Sequence, residues 1–193
     1  MSHADDLQAV SVDEALIDVS TAVNEMREEA LQTCYLGDPA KNFAEMIRDE
    51  VRKATACESK SFPSFLQREQ FYLFASVSIG ISHNILLARL ATRRAKPAGS
   101  YHLTSDEVME FLATLDVCDL HGFGWSTKQK AQEKLGVTNL GELVEKSKSQ
   151  LIDALGKATG ETLYNALRGI DDKKLESDKP RKSVSCEINV SLT

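Results

Sequence analysis

Residues 79–99 read IGISHNILLARLATRRAKPAG, and this stretch shows the clearest order of secondary-structure signals in the chain. Val77, Ile79 and Ile81 alternate with Ser78 and Gly80, which predicts a short buried strand over residues 77–81. Ser82 is the predicted N-cap of a following helix, and four residues form the apolar stripe of that helix: Ile85, Leu86, Leu90 and Ala91. A proline and a glycine near the end of the stretch then stop the helix.

The segments on either side of this stretch differ in character. Upstream, residues 7–12 and 15–19 predict two short strands, and Pro39 opens a helical pattern. Downstream of residue 104 the strand signals disappear, and glycines separate short helical segments at 127–135, 140–147, 149–155 and 161–167. The sequence therefore predicts an α+β fold: strands and helices over residues 1–103, a small all-helical domain over 104–170, and a charged linker that begins a new element over 171–193.

Composition excludes few function classes. The chain has 193 residues and a formal net charge of −6, and no stretch approaches the roughly 20 apolar residues that a membrane-spanning helix needs. The start of the chain lacks a secretory pattern, so the prediction is a cytosolic or nuclear protein without membrane contact. The four cysteines are widely spaced, which indicates free thiols. Basic residues cluster at 89–96, 128–134 and 173–182, so the acidic total does not exclude binding to nucleic acid.

Asp13 and Glu14 lie between the two N-terminal strands. Neighbouring side chains of a regular strand point to opposite faces, so a turn is needed before both carboxylates can serve one site. Paired carboxylates suit hard cations such as Mg²⁺, which prefer oxygen ligands. The alternative is a polar hairpin tip with two solvated acids, and an isolated S-x-D-E tetrapeptide does not decide between the two.

Two further sites have both a functional and a structural interpretation. LHGFG at 120–124, followed by Ser126, resembles a helix–hairpin–helix, in which a glycine-containing turn lets backbone N–H groups reach a DNA phosphate. The alternative is an ordinary corner between helices. Lys96 lies at a helix end fixed by Pro97, where an ammonium could meet a triphosphate. Basic residues also favour helix C-termini because of the helix dipole, without any ligand.

The order of four segments favours the functional interpretations over the structural ones. These segments are SVDEALID at 11–18, the stretch at 79–99, LHGFG at 120–124 and RKSVSCEIN at 181–189. Together they resemble the Y-family DNA polymerases, and among these the Rev-type deoxycytidyl transferases of eukaryotic translesion synthesis. The run N-I-L-L-A-R-x-A-T-R-x-A-K-P-x-G is the most specific part. The resemblance implies a partial polymerase palm, with a short mixed sheet and helices, followed by a small all-helical thumb with a helix–hairpin–helix.

The resemblance also implies roles for individual residues. Asp13 and Glu14 match the second acidic motif of the palm, whose carboxylates serve the catalytic Mg²⁺ site. Lys96 matches the lysine that contacts the triphosphate of the incoming nucleotide. Three residues match the hairpin that holds the primer-side backbone: Gly122, Gly124 and Ser126. Residues 181–183 match the link into the little-finger domain.

The implied reaction is Mg²⁺-dependent transfer of dCMP from dCTP to a primer end, opposite damaged or abasic template or template G. The implied partners are primer–template DNA and other translesion polymerase subunits, and the implied location is the nucleus. A non-catalytic DNA-binding module and a structural protein with an inert acidic hairpin remain alternatives. Magnesium-dependent nucleotide binding would distinguish the polymerase fragment from a DNA-binding module. Salt-dependent duplex binding would distinguish the DNA-binding module from the structural protein.

The chain departs from the family pattern in several places. Ten residues precede Ser11, so we expect the family's first acidic motif and fingers to be missing, and the little finger likewise. His121 stands where proline is usual, and Phe123 where a small aliphatic residue is usual. A carboxylate pair without its third partner should hold two Mg²⁺ ions poorly. We therefore expect no polymerase activity from this chain alone.

Residues 59–76 interrupt a junction at which the family runs directly from helix to strand. The segment contains four of the seven phenylalanines, whereas its neighbours are more polar. Our hypothesis is a retained intron or an error in the gene model. A true loop insertion is the alternative, because surface loops tolerate added length.

Overall fold

The computed structural model describes residues 4–11, 13–33, 37–56 and 77–176. The proposed insertion at 59–76 and the proposed little-finger link at 181–183 lie outside the described residues. Two compact units are present, one formed by residues 1–22 with 174–193 and the other by residues 23–173. Within the described ranges, no helix has both the length and the apolar character needed to cross a membrane.

The smaller unit is built on an antiparallel hairpin. Strand β1 (Asp6–Ala9) pairs with β2 (Ala15–Asp18), and Ala9 lies opposite Ala15. The N–H groups of Val10 and Ser11 both donate to the carbonyl of Glu14, at 2.9 and 3.1 Å, and these bonds close the turn. The predicted pair of strands is confirmed, although each strand is shorter than the sequence pattern suggested.

Helix α1 (Ser20–Thr33) follows this hairpin and was not predicted. Its start is fixed by two carboxylates, because Asp18 accepts from the N–H and hydroxyl of Ser20, and Asp5 accepts from the N–H of Thr21 at 2.8 Å. Val23 is the buried residue that the structure records on this helix. A helix with so little apolar surface gives almost no periodic signal in the sequence.

After α1, the larger unit continues with helix α2 (Pro39–Ala56), as the sequence predicts. Strand β3 (Ile79–Ile81), helix α3 (Ile85–Ala95) and strand β4 (Ser100–His102) then form a parallel strand–helix–strand unit, in which Ile79 lies opposite Ser100. Strand β4 was not predicted, because the sequence Ser-Tyr-His has no strand pattern of its own. Its pairing with β3 defines it as a strand.

Gly80 allows β3 to lie directly against α3. A Cβ on Gly80 would come within 2.0 Å of the backbone nitrogen of Thr92, which no real structure allows. The N–H of Gly80 donates to the Thr92 hydroxyl at 3.1 Å, and that hydroxyl donates to the carbonyl of Ala88 at 2.9 Å. The glycine of IGIS and the threonine of ATR are therefore explained by one contact.

The predicted N-cap of α3 was wrong. The Ser82 hydroxyl instead donates to the carbonyl of Leu103 at 2.9 Å and so joins the end of β3 to the chain after β4. Asn84 is the N-cap, since its side-chain oxygen accepts from the N–H of Leu87 at 2.9 Å. Its amide nitrogen also donates to the carbonyl of Gly169 at 2.7 Å. Asn84 thereby connects the start of α3 to the end of the helical region.

Five helices and a short 3₁₀ turn make up the remainder: α4 (Val108–Ala113), the turn Val117–Asp119, α5 (Trp125–Leu135), α6 (Leu140–Leu143), α7 (Lys148–Leu155) and α8 (Lys157–Ala166). Leucines dominate their core, and several are at most 2% exposed: Leu112, Leu140, Leu151 and Leu163. The apolar face of α3 belongs to the same core through Leu86, Leu87 and Leu90. The predicted α+β class with an all-helical second part is confirmed.

Candidate catalytic and DNA-binding residues

The tip of the β1–β2 hairpin contains the two predicted carboxylates. Asp13 and Glu14 are both exposed, and the Ser11 hydroxyl donates to Oδ1 of Asp13 at 2.6 Å. The turn between the strands supplies the break in strand geometry that two neighbouring acids need before they can serve one site.

The chemistry of these oxygen donors fits Mg²⁺. Within the described ranges, however, no group of three or more His, Cys, Asp or Glu side chains could hold a metal ion.

Lys96 follows the last turn of α3 and is exposed, with its backbone in an extended conformation (φ −67°, ψ 147°). The Lys96–Pro97 peptide bond is cis. Lys96 belongs to the larger unit, whereas Asp13 and Glu14 belong to the smaller one, and each set is described separately.

The predicted hairpin at 120–124 has the backbone that a helix–hairpin–helix requires. Gly122 has a φ of +92°, a conformation that L-residues other than glycine rarely adopt. Among the described residues other than the chain neighbours, no heavy atom lies within 4 Å of the position that a Cβ would take on Gly122 or on Gly124. The approach to the hairpin backbone is therefore open.

Gly124 is the N-cap of α5 and has no side chain with which to cap the helix. Among the described residues, the structure records no acceptor for the N–H groups of Gly124, Trp125 and Ser126. Three neighbouring donors at a helix N-terminus favour a bound anion, because the helix dipole adds to their hydrogen bonds.

The two residues that depart from the family pattern do not disturb this turn. Phe123 is only 7% exposed and packs into the helical core, and its N–H donates to the carbonyl of Leu120 at 3.1 Å. His121 is exposed. The larger aromatic side chain is therefore used to hold the hairpin to the core.

Charged residues surround the base of the hairpin. Lys128 on α5 lies 3.0 Å from the carboxylate of Asp116. Partial burial by itself raises the pKa of Asp116, but hydrogen bonds from Cys118 N–H, Thr138 and Lys128 outweigh this effect and lower it. The bond to Asp116 in turn raises the pKa of Lys128. Lys128 therefore remains a cation beside the hairpin over the whole physiological range.

Arg93 connects α3 to the hairpin region. Arg93 donates to the main-chain carbonyl of Asp119 at 2.8 Å and approaches its carboxylate at 3.3 Å. The Asp119 carboxylate also accepts from the N–H of Asp116 at 2.9 Å, and it thereby completes a capping box around the 3₁₀ turn. Arg93 from α3 and the capping box of the 3₁₀ turn therefore hold the chain just before the hairpin.

Residues 118–171 match a family model described as "DNA polymerase-iota, thumb domain". The sequence is 36% identical to DNA repair protein rev1 of Schizosaccharomyces pombe over 96% of this chain, and 34% identical to DNA repair protein REV1 of Arabidopsis thaliana over 97%. It is also 32% identical to DNA polymerase IV of Pseudomonas syringae pv. syringae over 96% of this chain. The chain belongs to the Y-family DNA polymerases.

This Y-family chain spans only part of the proteins it matches: 17% of the yeast protein, 14% of the plant protein and 44% of the bacterial one. Among solved structures, the insertion ternary complex of Dbh DNA polymerase covers 91% of the chain with a TM-score of 0.67 at 23% identity, and 42% of that polymerase is matched. DinB from Sulfolobus solfataricus covers 87% with a TM-score of 0.61 at 24% identity, matching 40% of that protein. These similarities show the fold.

Two residues of this Y-family chain were missed by sequence analysis. Asn84 was overlooked because Ser82 is an equally good cap by type. Arg48 was overlooked because it lies among the charged residues of α2, yet its side chain is only 14% exposed. Its spacing of four from Ala44, which is buried, is the signal that could have placed it on the inner face of the helix.

Proposed function

We propose that this chain is the part of a Rev-type translesion polymerase that contributes one carboxylate motif, the nucleotide-contacting lysine and the thumb. The observation that carries the proposal is the 36% identity to a DNA repair protein across 96% of the chain, well beyond the thumb. The reaction is transfer of dCMP from dCTP to a primer end, opposite damaged or abasic template or template G. A DNA-repair role also favours a nuclear location.

Each proposed residue has a separate role in this reaction. Asp13 and Glu14 would hold Mg²⁺ together with ligands from elsewhere in the polymerase, and the bound metal would offset the charge that develops on the phosphates. Lys96 would contact the triphosphate of the nucleotide. The N–H groups near Gly122, Gly124 and Ser126 would bind a phosphate of the primer strand, which positions the duplex without reading its sequence.

The proposed domains follow the same assignment. Residues 1–103 form part of the palm, residues 104–170 form the thumb, and residues 171–193 lead into a little finger. Other translesion polymerase subunits are proposed as further partners. Because two carboxylates are an incomplete set for a two-metal reaction, we expect the chain alone to show no primer extension with any of the four dNTPs.

A chimera tests the catalytic part of the proposal. This chain would replace the matching segment of the Schizosaccharomyces pombe rev1 protein, and single-nucleotide insertion would be measured opposite template G and an abasic site. We expect insertion of dCMP by the chimera, and a loss of at least about a thousandfold in rate when Asp13→Asn is combined with Glu14→Gln.

Asp6→Asn is the matched control, because Asp6 is an exposed acid on the same hairpin and its carboxylate accepts only from the neighbouring Leu7 N–H among the recorded bonds. Insertion by the double variant at the control's rate would remove the carboxylates from the mechanism. A folded chimera that binds DNA but inserts nothing would favour the second candidate below.

The second candidate is a DNA-binding module without catalysis. The open hairpin favours it, with three N–H donors for which the described residues provide no recorded acceptor. Trp125 is the single tryptophan of the chain and is 72% exposed beside the hairpin, so its fluorescence reports binding directly. We expect duplex DNA to change this fluorescence, with an affinity that falls as salt rises. A fluorescence change with short peptides but none with DNA would exclude both candidates.

A further inference from the structure

The Arg48 side chain joins three parts of the larger unit. Nε donates to the carbonyl of Val77, two residues before β3, at 2.9 Å. Nη2 donates to the carbonyl of Ala98, just after the Lys96–Pro97 corner. Nη1 donates to the carboxylate of Glu45, one turn back on α2, at 2.6 Å. A guanidinium presents donors in a fixed planar fork, so one side chain fixes the spacing between the two carbonyls.

The neighbouring contacts keep Arg48 in this orientation. The other oxygen of Glu45 accepts from the Ser100 hydroxyl on β4, and this bond lowers the pKa of Glu45 so that it stays ionised. Near the start of α2, Asp38 lies 2.7 Å from Nδ1 of His102 on the same strand. Polar groups just before α2 and in its first half therefore contact the two ends of β4.

The corner at 96–98 has few other attachments. Lys96, Pro97 and Ala98 are all exposed, and proline has no N–H to donate. Among the described side chains, Arg48 is the one recorded as donating to these three residues. Just after the corner, the N–H of Ile79 donates to the carbonyl of Gly99 at 3.0 Å. Helix α3 therefore holds Lys96 from one side, and Arg48, a residue distant in sequence, holds the chain on the other side of the corner at Ala98.

We propose that Arg48 is a positioning residue, which holds the corner so that Lys96 is aimed at the triphosphate of the incoming nucleotide. This inference rests on the role given to Lys96 under the proposed function. Arg48 itself touches neither the nucleotide nor the reacting atoms. A flexible lysine contributes more binding when its backbone is already fixed, because less conformational entropy is lost when the ligand binds.

Arg48→Lys separates geometry from charge. Lysine keeps the positive charge that pairs with Glu45, but its single nitrogen cannot reach both carbonyls at the spacing that Nε and Nη2 reach together. Arg52→Lys is the matched control, because Arg52 lies one turn further along α2, is 54% exposed and pairs with Asp49 at 3.5 Å on the outer face.

The test combines two measurements on the complete chain. Hydrogen exchange would be followed at the amides of Ile79 and of residues 99–103. Acylation of the Lys96 amine would be measured by mass spectrometry with and without inorganic triphosphate. In wild type we expect slow exchange and protection of Lys96 by triphosphate. In Arg48→Lys we expect faster exchange at these amides and about tenfold weaker protection of the Lys96 amine by triphosphate, while the helix content stays the same. In Arg52→Lys we expect neither the faster exchange nor the weaker protection.

The outcomes separate this inference from the proposed function. Unchanged exchange in Arg48→Lys would overturn the inference, since Arg48 would not hold the corner. If triphosphate protects the Lys96 amine equally in wild type and in Arg48→Lys, the inference would also be overturned. Lys96 would then keep its proposed role. Absence of protection in wild type would overturn the assignment of Lys96 to the triphosphate, and the inference with it.

Discussion

Gly122 and Gly136 have positive φ angles of 92° and 75°. In the part of the chain that the structure describes, and leaving out chain neighbours, no heavy atom lies within 4 Å of the Cβ position of either glycine. Substitution of either by alanine should therefore cost a similar amount of stability, about 1 kcal/mol, through backbone strain alone. Gly122 lies at the proposed phosphate site before α5, whereas Gly136 is the C-cap at the other end of α5. We predict that Gly122→Ala weakens duplex binding and Gly136→Ala does not, as measured by DNA titration alongside urea unfolding. Equal loss of DNA affinity in both variants would attribute the effect to stability.

Asn84 supports a second prediction at the residue scale, because its two side-chain atoms have different partners. Asn84→Asp keeps the oxygen that caps α3 but loses the donor to Gly169, whereas Asn84→Ala loses both. Loss of an N-cap costs about 1 kcal/mol, and a lost neutral hydrogen bond costs a similar amount. We predict the order wild type, Asn84→Asp, Asn84→Ala in the free energy of unfolding, measured by urea denaturation near neutral pH. Two variants of equal stability would mean that only one of the bonds matters.

At the scale of elements, α2 and β4 are joined through ionised carboxylates. Partial burial by itself raises the pKa of Asp38, but the hydrogen bond and charge of His102 and the N–H groups of Lys41 and Ala40 outweigh it, so the pKa is lowered. The unfolded carboxyl therefore binds a proton at a higher pH than the folded one. The stabilisation is present above the ordinary carboxyl pKa of about 4 and is lost as pH falls through the folded value.

The lowered pKa of Asp38 leads to a prediction for the variant Asp38→Asn. Asparagine still caps the start of α2 but carries no charge to titrate. We expect the variant to be less stable than wild type near neutral pH and to lose less stability between about pH 7 and pH 3, measured as the urea midpoint at each pH. Parallel pH profiles for the two proteins would show that the contact between Asp38 and His102 contributes nothing to acid sensitivity.

The sequence was informative where local chemistry decides an element. The G-x-G hairpin, the helix opened by Pro39 and the apolar run around Ile79 were predicted, because each depends on residues close together in the chain. Strand β4 and the N-cap of α3 were not, since Ser100–His102 becomes a strand only by pairing with β3, and Ser82 bonds to Leu103 instead of capping. Among the proposed site residues, the hairpin geometry was predictable, whereas Arg48 depends on partners 29 and 50 residues away.

At the scale of the whole molecule, the shared core predicts how the helical region folds. Leu86, Leu87 and Leu90 of α3 are buried with the helices that follow. A fragment of residues 104–173 would lack these leucines and would expose the surface that they cover. The loss of each buried leucine should lower the free energy of unfolding by roughly 1.5–3 kcal/mol. We therefore expect a fragment of residues 77–173 to melt at a clearly higher temperature than 104–173, measured by circular dichroism. Equal melting temperatures would show that α3 is dispensable to the core.

The central claim for the molecule is that the backbone at the hairpin binds a DNA phosphate, and Gly124→Val tests it most directly. Gly124 has an ordinary φ of −103° and open space around it, so valine should fold without strain but should block the approach of a phosphate. Binding of a labelled primer–template duplex would be followed by fluorescence anisotropy at several salt concentrations, with thermal stability measured in parallel. The account predicts a loss of stability of no more than about 1 kcal/mol, because valine is a poorer N-cap than glycine. It predicts about tenfold or greater loss of affinity, because a hydrogen bond to a charged group contributes about 1.5–3 kcal/mol. Full DNA affinity in a folded Gly124→Val protein would contradict it.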